Sequence, residues 1–392
     1  MSPDTTEHDV NDATIRRPMV RWNGLLALLG VAGALAALLA APHQARSAAA
    51  QTWSPFVLVS GLLLVGMVAE ADGLFRAAGS HLARAARNGV SLFVGAAFLI
   101  IVVTATLNLD TSVVFLTPVL IAATRRLGSP ERSLLYGSLL LANASSLFLP
   151  GSNLTNLIVL GHHPLSGGGF LALMWPAALA ASAVTACCIG VWARHDLVAP
   201  TVRVTGADRP VVGVGLAAIV VVIVLVLALP SPALAVLGVG VAAALLRVAQ
   251  RRLTVRGAVG TLGLPVLVGL FGITVGLGTL GRVWSGPATM LSHLGTVETA
   301  IVSAAFSVLC NNLPAASLLA ARYPPHPAQL LIGLNLGPNL FVTGSLAWFL
   351  WLKVARSAGA APSIGRASRL GLVVVPLSLA AALAALALAG SG

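Results

Sequence analysis

The sequence predicts an all-α polytopic membrane protein of about nine transmembrane helices plus two re-entrant hairpins, set in two inverted repeats that each contain a broken helix. Three observations predict it: too little charge for a soluble surface, apolar runs of bilayer-crossing length, and an excess of arginines on alternate connections. Hydrophobic residues make up 57% of the 392 and charged residues 9%, where a soluble domain carries roughly 25% charged residues.

Uninterrupted apolar runs of about 17 to 25 residues cross the hydrocarbon as helix. They lie at residues 24–41, 53–70, 133–160, 170–193, 211–229, 232–246, 259–280, 329–352 and 370–389. Two further apolar regions, 90–123 and 297–321, are broken in the middle by polar residues and are read as hairpins that return to the side they left.

The net charge of +12 reports topology rather than nucleic-acid binding. With odd spans running outward, Arg16, Arg17, Arg21, Arg76, Arg84, Arg87, Arg125, Arg126 and Arg132 all fall on one side. So do Arg194, Arg203, Arg209, Arg247, Arg251, Arg252, Arg256, Lys353, Arg356, Arg366 and Arg369, while Arg46, Arg282 and Arg322 fall opposite. The positive-inside rule then places the N-terminus in the cytoplasm of a multi-pass protein of the inner membrane. Residues 1–22 form a polar cytoplasmic tail, 23–196 the first repeat (hairpin 89–124, broken helix 133–160) and 197–210 a cytoplasmic linker. The second repeat is 211–392 (hairpin 296–322, broken helix 327–352).

The repeat rests on an order of parts. Asn108-Leu109-Asp110-Thr111, then Asn143, then Pro150-Gly151-Ser152-Asn153-Leu154-Thr155-Asn156 is matched by Asn311-Asn312-Leu313-Pro314, then Asn335, then Gly337-Pro338-Asn339 with Thr343-Gly344-Ser345. Pro and Gly inside an apolar run free backbone groups that lipid cannot satisfy, so these breaks must be buried in protein or line a wet cavity. Their polar residues are candidates to bind a solute; hydrogen bonding between helices is the alternative use.

Asp110 is the acid set deep in an apolar region, and an intramembrane acid is a functional candidate by default. It can carry a coupling proton or cap the helix expected to begin at Thr111. Glu70 and Asp72 lie at a span end and are expected to reach water. His162 and His163 have no third ligand at metal spacing, and Cys187 and Cys188 point about 100° apart on a helix and cannot share an ion with a third thiol. Neither a metal nor a cofactor is expected. Without a GxxxxGK[ST] loop the chain does not itself use ATP, and without a nucleophile, base and orienting group together it is not expected to be an enzyme.

At these residues the chain resembles the arsenite/antimonite permease family of the ion transporter superfamily. The stretch CNNLPAASLLAARYPPHPAQLLIGLNLGPNLFVTGSLAWFLWLKV (310–354) is similar to that family's NN-P hairpin, LGP turn and GSLA-xx-LWL run. TLNLDTSVVFLTPVLIA and LANASSLFLPGSNLTNLIVL resemble its Ser-Asn-Asp tip, LTP run and SN-x-x-N turn, with Leu109 where the family has an asparagine. The resemblance implies export of arsenite or antimonite in exchange for protons, with Asp110 in the coupling role. It places Asn108, Ser152, Asn153 and Asn156 of the first repeat at the tip and break that face the substrate, with Asn311, Asn312, Gly337, Pro338, Asn339, Thr343, Gly344 and Ser345 as their counterparts in the second. Thr111, Asn143, Thr155 and Asn335, polar residues beside the same tips and breaks, are expected to join them at the substrate. A sodium/proton antiporter, a dicarboxylate-type organic-anion carrier, and the membrane subunit of a soluble arsenite-stimulated ATPase remain alternatives. The partners expected are the small inorganic solute, protons, the lipid bilayer and a second copy in a homodimer.

Overall fold

Apolar runs punctuated by glycine and proline fold into helices that stop where those residues, or a capping side chain, stop them. The computed structural model describes residues 24–162, 165–199, 202 and 213–390. The expected tail at 1–22, His163 and most of the 197–210 linker lie outside the described residues, among which every regular element is helical.

Helix α1 (Gly24–Ala40) and α2 (Pro42–Ala71) reverse at Ala41 (φ −149°, ψ 71°). Helix α2 starts well before the expected residue 53, because Pro42 suits a first helical position and the alanines that follow are strong helix formers. The amphipathic α3 (Leu74–Ala85) buries Phe75 and Ala83. Helices α4 (Gly89–Thr106) and α5 (Leu109–Leu127) make the first hairpin. The first broken helix is α6 (Arg132–Ser145), a 3-10 turn at Pro150–Ser152, and α7 (Leu154–Val159). Then come α8 (Gly167–Trp192), the short α9 (Arg194–Leu197), α10 (Val214–Ala228) and α11 (Ala233–Ala249).

Helices α12 (Val255–Leu262) and α13 (Leu264–Val283) meet at Gly263, whose φ of 57° is left-handed and suits glycine. After α14 (Gly286–Ser292), α15 (Thr296–Cys310) and α16 (Asn312–Leu319) form the second hairpin. The second broken helix is α17 (Pro327–Leu336), a 3-10 turn at Gly337–Leu340, and α18 (Leu346–Ser357), followed by α19 (Ile364–Gly390).

The two hairpins are unequal. Legs of 18 and 19 residues in the first contrast with 15 and 8 in the second, so α4, at about 27 Å, has crossing length on its own. Helices α2, α8, α19 and the α12–α13 pair are also long and apolar enough to cross a membrane.

Helix α2 packs along α10, α11 and α13, and α8 packs along α19, one helix from each half. Small residues set the approach. Gly30 of α1 abuts Gly269 and Gly272 of α13, and a Cβ on Gly61 of α2 would lie 2.7 Å from the Leu237 nitrogen of α11. Such backbone contact is how helices associate where lipid removes any hydrophobic drive between them.

One span end departs from expectation. Asp72 does not reach water: it is 7% exposed and its carboxylate lies 2.6 Å from the guanidinium of Arg247, itself 6% exposed. The other carboxylate oxygen accepts the Gly215 N–H at 2.8 Å. The ends of α2 and α11 converge there on the start of α10, where Gly213 and Gly215 let the backbone close over the pair. Removing one partner would strand a buried charge. Asp72→Leu is expected to lower unfolding stability in detergent by about 3–5 kcal/mol, with most of it regained in Asp72→Leu/Arg247→Met. A single variant as stable as the parent would show that the pair is solvated.

Candidate functional site

Four helices begin at the hairpin tips and breaks, and each begins at a residue suited to an N-cap. The Asn108 side-chain oxygen accepts the Thr111 N–H at 2.7 Å and starts α5. Asn153 does the same for Thr155 at 3.1 Å at the head of α7, and Asn311 for Leu313 at 3.3 Å at the head of α16. Ser345 precedes α18 without a side-chain capping bond. Asp110 is therefore not the cap. It occupies the first turn of α5, half-buried, where negative charge interacts favourably with the helix dipole.

The ends of these helices show how they pair. Arg125, at the end of α5, donates to the Ala358 and Gly359 carbonyls beyond α18 at 2.7 and 2.9 Å. Gln51 of α2 donates to the Ile158 carbonyl of α7 and the Ala320 carbonyl beyond α16 at 2.9 and 3.2 Å, and accepts from Arg282. So α5 runs beside α18 and α7 beside α16, each pair drawn from both halves, and the pairs diverge from a common centre. The two hairpins consequently open toward opposite ends of the molecule.

At that centre the two breaks are clasped by asparagines. Asn143 donates to the Asn339 side-chain oxygen at 2.9 Å, and Asn153 to that of Asn335 at 2.8 Å. Asn335 in turn donates to the Asn156 side-chain oxygen at 2.8 Å and to the Leu331 carbonyl at 2.8 Å, and also accepts from the Ser146 hydroxyl at 2.6 Å. Each asparagine ahead of a break thus reaches asparagine within or beyond the other break. With two donors and two acceptors engaged, Asn335 is saturated.

The backbone groups that the breaks free are answered by the same side chains. Asn156 donates to the Ser146 and Leu149 carbonyls at 2.7 and 3.3 Å, Asn339 to Leu140 at 3.0 Å, and the Trp348 indole to Pro338 at 2.7 Å. Each break is also sewn to its own hairpin. Ser152 donates to the Ala105 carbonyl at 3.1 Å, and Thr343 to the Val308 carbonyl at 2.5 Å. Both carbonyls stand three residues ahead of the tip asparagine. Asn312 N–H and the Asn311 amide complete the second junction on Gly344 and Thr343 at 2.9 and 3.2 Å.

The structure therefore divides the residues that the sequence grouped as substrate-binding. Asn153, Asn156, Asn335 and Asn339 serve the clasp; Gly337 and Gly344 serve close packing, since a Cβ would lie 2.4 Å from the Ser307 hydroxyl or 2.5 Å from the Pro338 Cα respectively. Left buried without a partner are the Asn108 amide nitrogen, the Thr111, Thr155 and Ser345 hydroxyls, and the Asn143 oxygen. The tips differ in access, with Asn108 buried and Asn311 half-exposed beside an exposed Thr343. Among the described residues Asp110 has no ion pair, and no group of His, Cys, Asp and Glu could hold a metal. Reading the sequence missed Ser146, which lies beside Asn143 before the break, and Gln51, whose polarity at the head of a span was the available signal.

A family model described as citrate transporter matches residues 16–342. The chain belongs to the citrate-transporter family. It is accordingly a multi-pass membrane protein and a secondary transporter. Within reach of this family it is 27% identical over 371 residues to the arsenical pump membrane protein of Yersinia enterocolitica, covering 86% of each chain. To that of Escherichia coli (strain K12) it is 25% identical over 370 residues, again covering 86% of each. The resemblance read from the tip and break motifs is borne out by these relatives. The crystal structure of the Alcanivorax borkumensis YdaH transporter, described as having an unusual topology, aligns with a TM-score of 0.54 at 17% identity. It covers 85% of this chain and 84% of that one, a likeness of fold.

The saturation of Asn335 sets an expectation. Asn335→Leu orphans the Asn153 amide nitrogen and the Asn156 side-chain oxygen together, while Ser146 keeps the Asn143 carbonyl at 2.7 Å, and is expected to destabilise by on the order of 1–3 kcal/mol for each buried group left unpaired. Asn143→Leu orphans only the Asn339 oxygen and is expected to lose far less. Thermal unfolding of both variants in one detergent checks the order, and equal losses would contradict the clasp.

Proposed function

We propose that this transporter exports trivalent arsenite and antimonite in exchange for protons by alternating access. The observation that carries the reading is the chemistry of the unpaired groups. Amide and hydroxyl groups are left over at the centre, and neither tip nor break contains a lysine, arginine or histidine. Trivalent arsenite is largely a neutral trihydroxide at neutral pH, and its hydroxyls can donate to and accept from such groups without a cationic partner. A carboxylate-rich solute would favour cationic side chains, which arginine supplies in bidentate form elsewhere. The names of the curated relatives support the same solute.

On this reading Asp110 takes up and releases the coupling proton from the first turn of α5. The N-terminus is cytoplasmic, the membrane is the inner one, and the two hairpins open to opposite faces. The distribution of arginines supports that orientation.

One observation favours a second reading. Four helix N-termini meet at the centre, and N-termini attract anions without any charged side chain. An organic-anion carrier would use them. Radiolabelled arsenite flux in proteoliposomes under an imposed pH difference separates the two. Arsenite is expected to move and to dissipate the gradient, with no soluble ATPase added. Dissipation by a dicarboxylate or by sodium in its place would overturn the arsenite reading, and flux that appears only with an added ATPase would make the chain a pump subunit. Asp110→Asn is expected to reduce coupled uptake to background while membrane insertion is intact, and normal uptake in that variant would remove Asp110 from the mechanism.

A further inference from the structure

A cavity of about 780 Å³ lies away from the clasp, between the end of α8, the start of α19 and the start of α6. Arg132, Arg366 and Arg369 line it with Trp192 at the end where α8 stops, and Val373 and Leu377 continue the wall along α19. The spacing of Arg366, Arg369, Val373 and Leu377 by three and four residues puts them on one face of α19. That face passes from cationic to apolar over about 16 Å, comparable to the length of an acyl chain. Val373, Leu377 and Trp192 are 52%, 50% and 37% exposed, so this wall is covered by no other part of the described chain.

The charge at the rim is only partly answered. Arg132 lies 3.7 Å from Asp196, and Arg369 donates to the Gly365 carbonyl at 3.3 Å. Among the described residues the Arg366 guanidinium has no partner, and Asp196 pairs with Arg132 alone. The end of the molecule that holds them is the arginine-rich one, which also carries Arg125, Lys353 and Arg356. Anionic lipids populate the cytoplasmic leaflet, and basic pockets between helices on that side hold their headgroups.

We propose that this groove binds an anionic phospholipid, its phosphate held by Arg366 and Arg369 with Arg132 at the rim, and an acyl chain lying along Trp192, Val373 and Leu377. A free phosphate would satisfy the arginines but leave the apolar wall unexplained. The inference stands apart from the identity of the transported solute.

Trp192 reports occupancy directly. In the purified full-length protein, its emission is isolated as the difference between the parent and Trp192→Phe while brominated-chain phosphatidylglycerol or phosphatidylcholine is titrated in. Quenching is expected to favour phosphatidylglycerol, and apparent affinity to fall about fivefold for each arginine removed in Arg366→Gln and Arg369→Gln. Arg366→Lys/Arg369→Lys keeps the charge and is expected to keep the preference, which separates loss of binding from loss of fold. Equal quenching by both lipids would overturn the proposal. So would displacement by inorganic phosphate alone, which would mark a free-anion site, or protection of Trp192 confined to a dimeric fraction, which would mean that a second copy covers the groove.

Discussion

Lipid offers no hydrogen bonds, and the two helices unwound within this protein must find every one of theirs in protein. The solution is reciprocal. Ser146 and Asn153, on either side of the first break, are met by Asn335 of the other half, and Asn339 in the second break is met by Asn143. Neither broken helix can settle alone, since half of its side-chain partners lie about 190 residues away in the chain, a separation that costs loop-closure entropy before any bond repays it. The two halves carry the same order of parts in sequence but are one unit by energetics.

The same reciprocity governs the longer helices. Each hairpin lies beside the second segment of the opposite broken helix, α5 beside α18 and α16 beside α7. The end of each pair is then fixed by a long polar side chain, Arg125 at one end of the molecule and Gln51 with Arg282 at the other. Because the paired helices run parallel from a shared origin, their dipoles add at the centre rather than cancel. The site therefore has a positive potential made of backbone, with no basic side chain needed to create it, and a titratable acid in the first turn of one of the four helices.

Much of this was legible in the residues, for physical reasons that can be named. Pro150-Gly151 and Gly337-Pro338 inside apolar runs announce breaks because few residues other than proline and glycine interrupt a helix in lipid so cheaply. Asn108 and Asn311 announce tips because a polar pair in the middle of an apolar run must cap something. What the residues could not announce was the division of labour among identical side chains. Asn335 and Asn108 carry the same amide; one has all its hydrogen-bonding capacity engaged and the other keeps a free nitrogen, and only the tertiary position decides which. Asp72 misled for a similar reason. Its place at a span end implies water, and the glycines of α10 that close over it are distant in sequence.

If access to the centre alternates as proposed, the clasp constrains how. Rocking one repeat against the other across the pseudo-symmetry axis would pull Asn143 from Asn339 and Asn153 and Ser146 from Asn335, exposing buried amides whose bonds lipid cannot replace. The contacts that can slide are of another kind. Helix α2 meets Thr111 and Phe115 of α5 through Gly66, and α19 meets the Asn339 carbonyl through Gly371, both by close packing of small residues with no side-chain hydrogen bond to break. Outside the clasp, the polar tie that α2 makes to α7 and to the chain after α16 runs through Gln51, at one end of the molecule only. A clasped body of both hairpins and both broken helices, moving against α2 and its neighbours as a unit, exchanges van der Waals contacts for similar ones and needs to release two polar junctions, the Gln51, Arg282 and Arg322 bonds at one end and the Arg126–Ser80 bond to α3 at the other. The asparagines would then be the reason that the moving part is rigid, and the unpaired hydroxyls beside them the reason that it carries something.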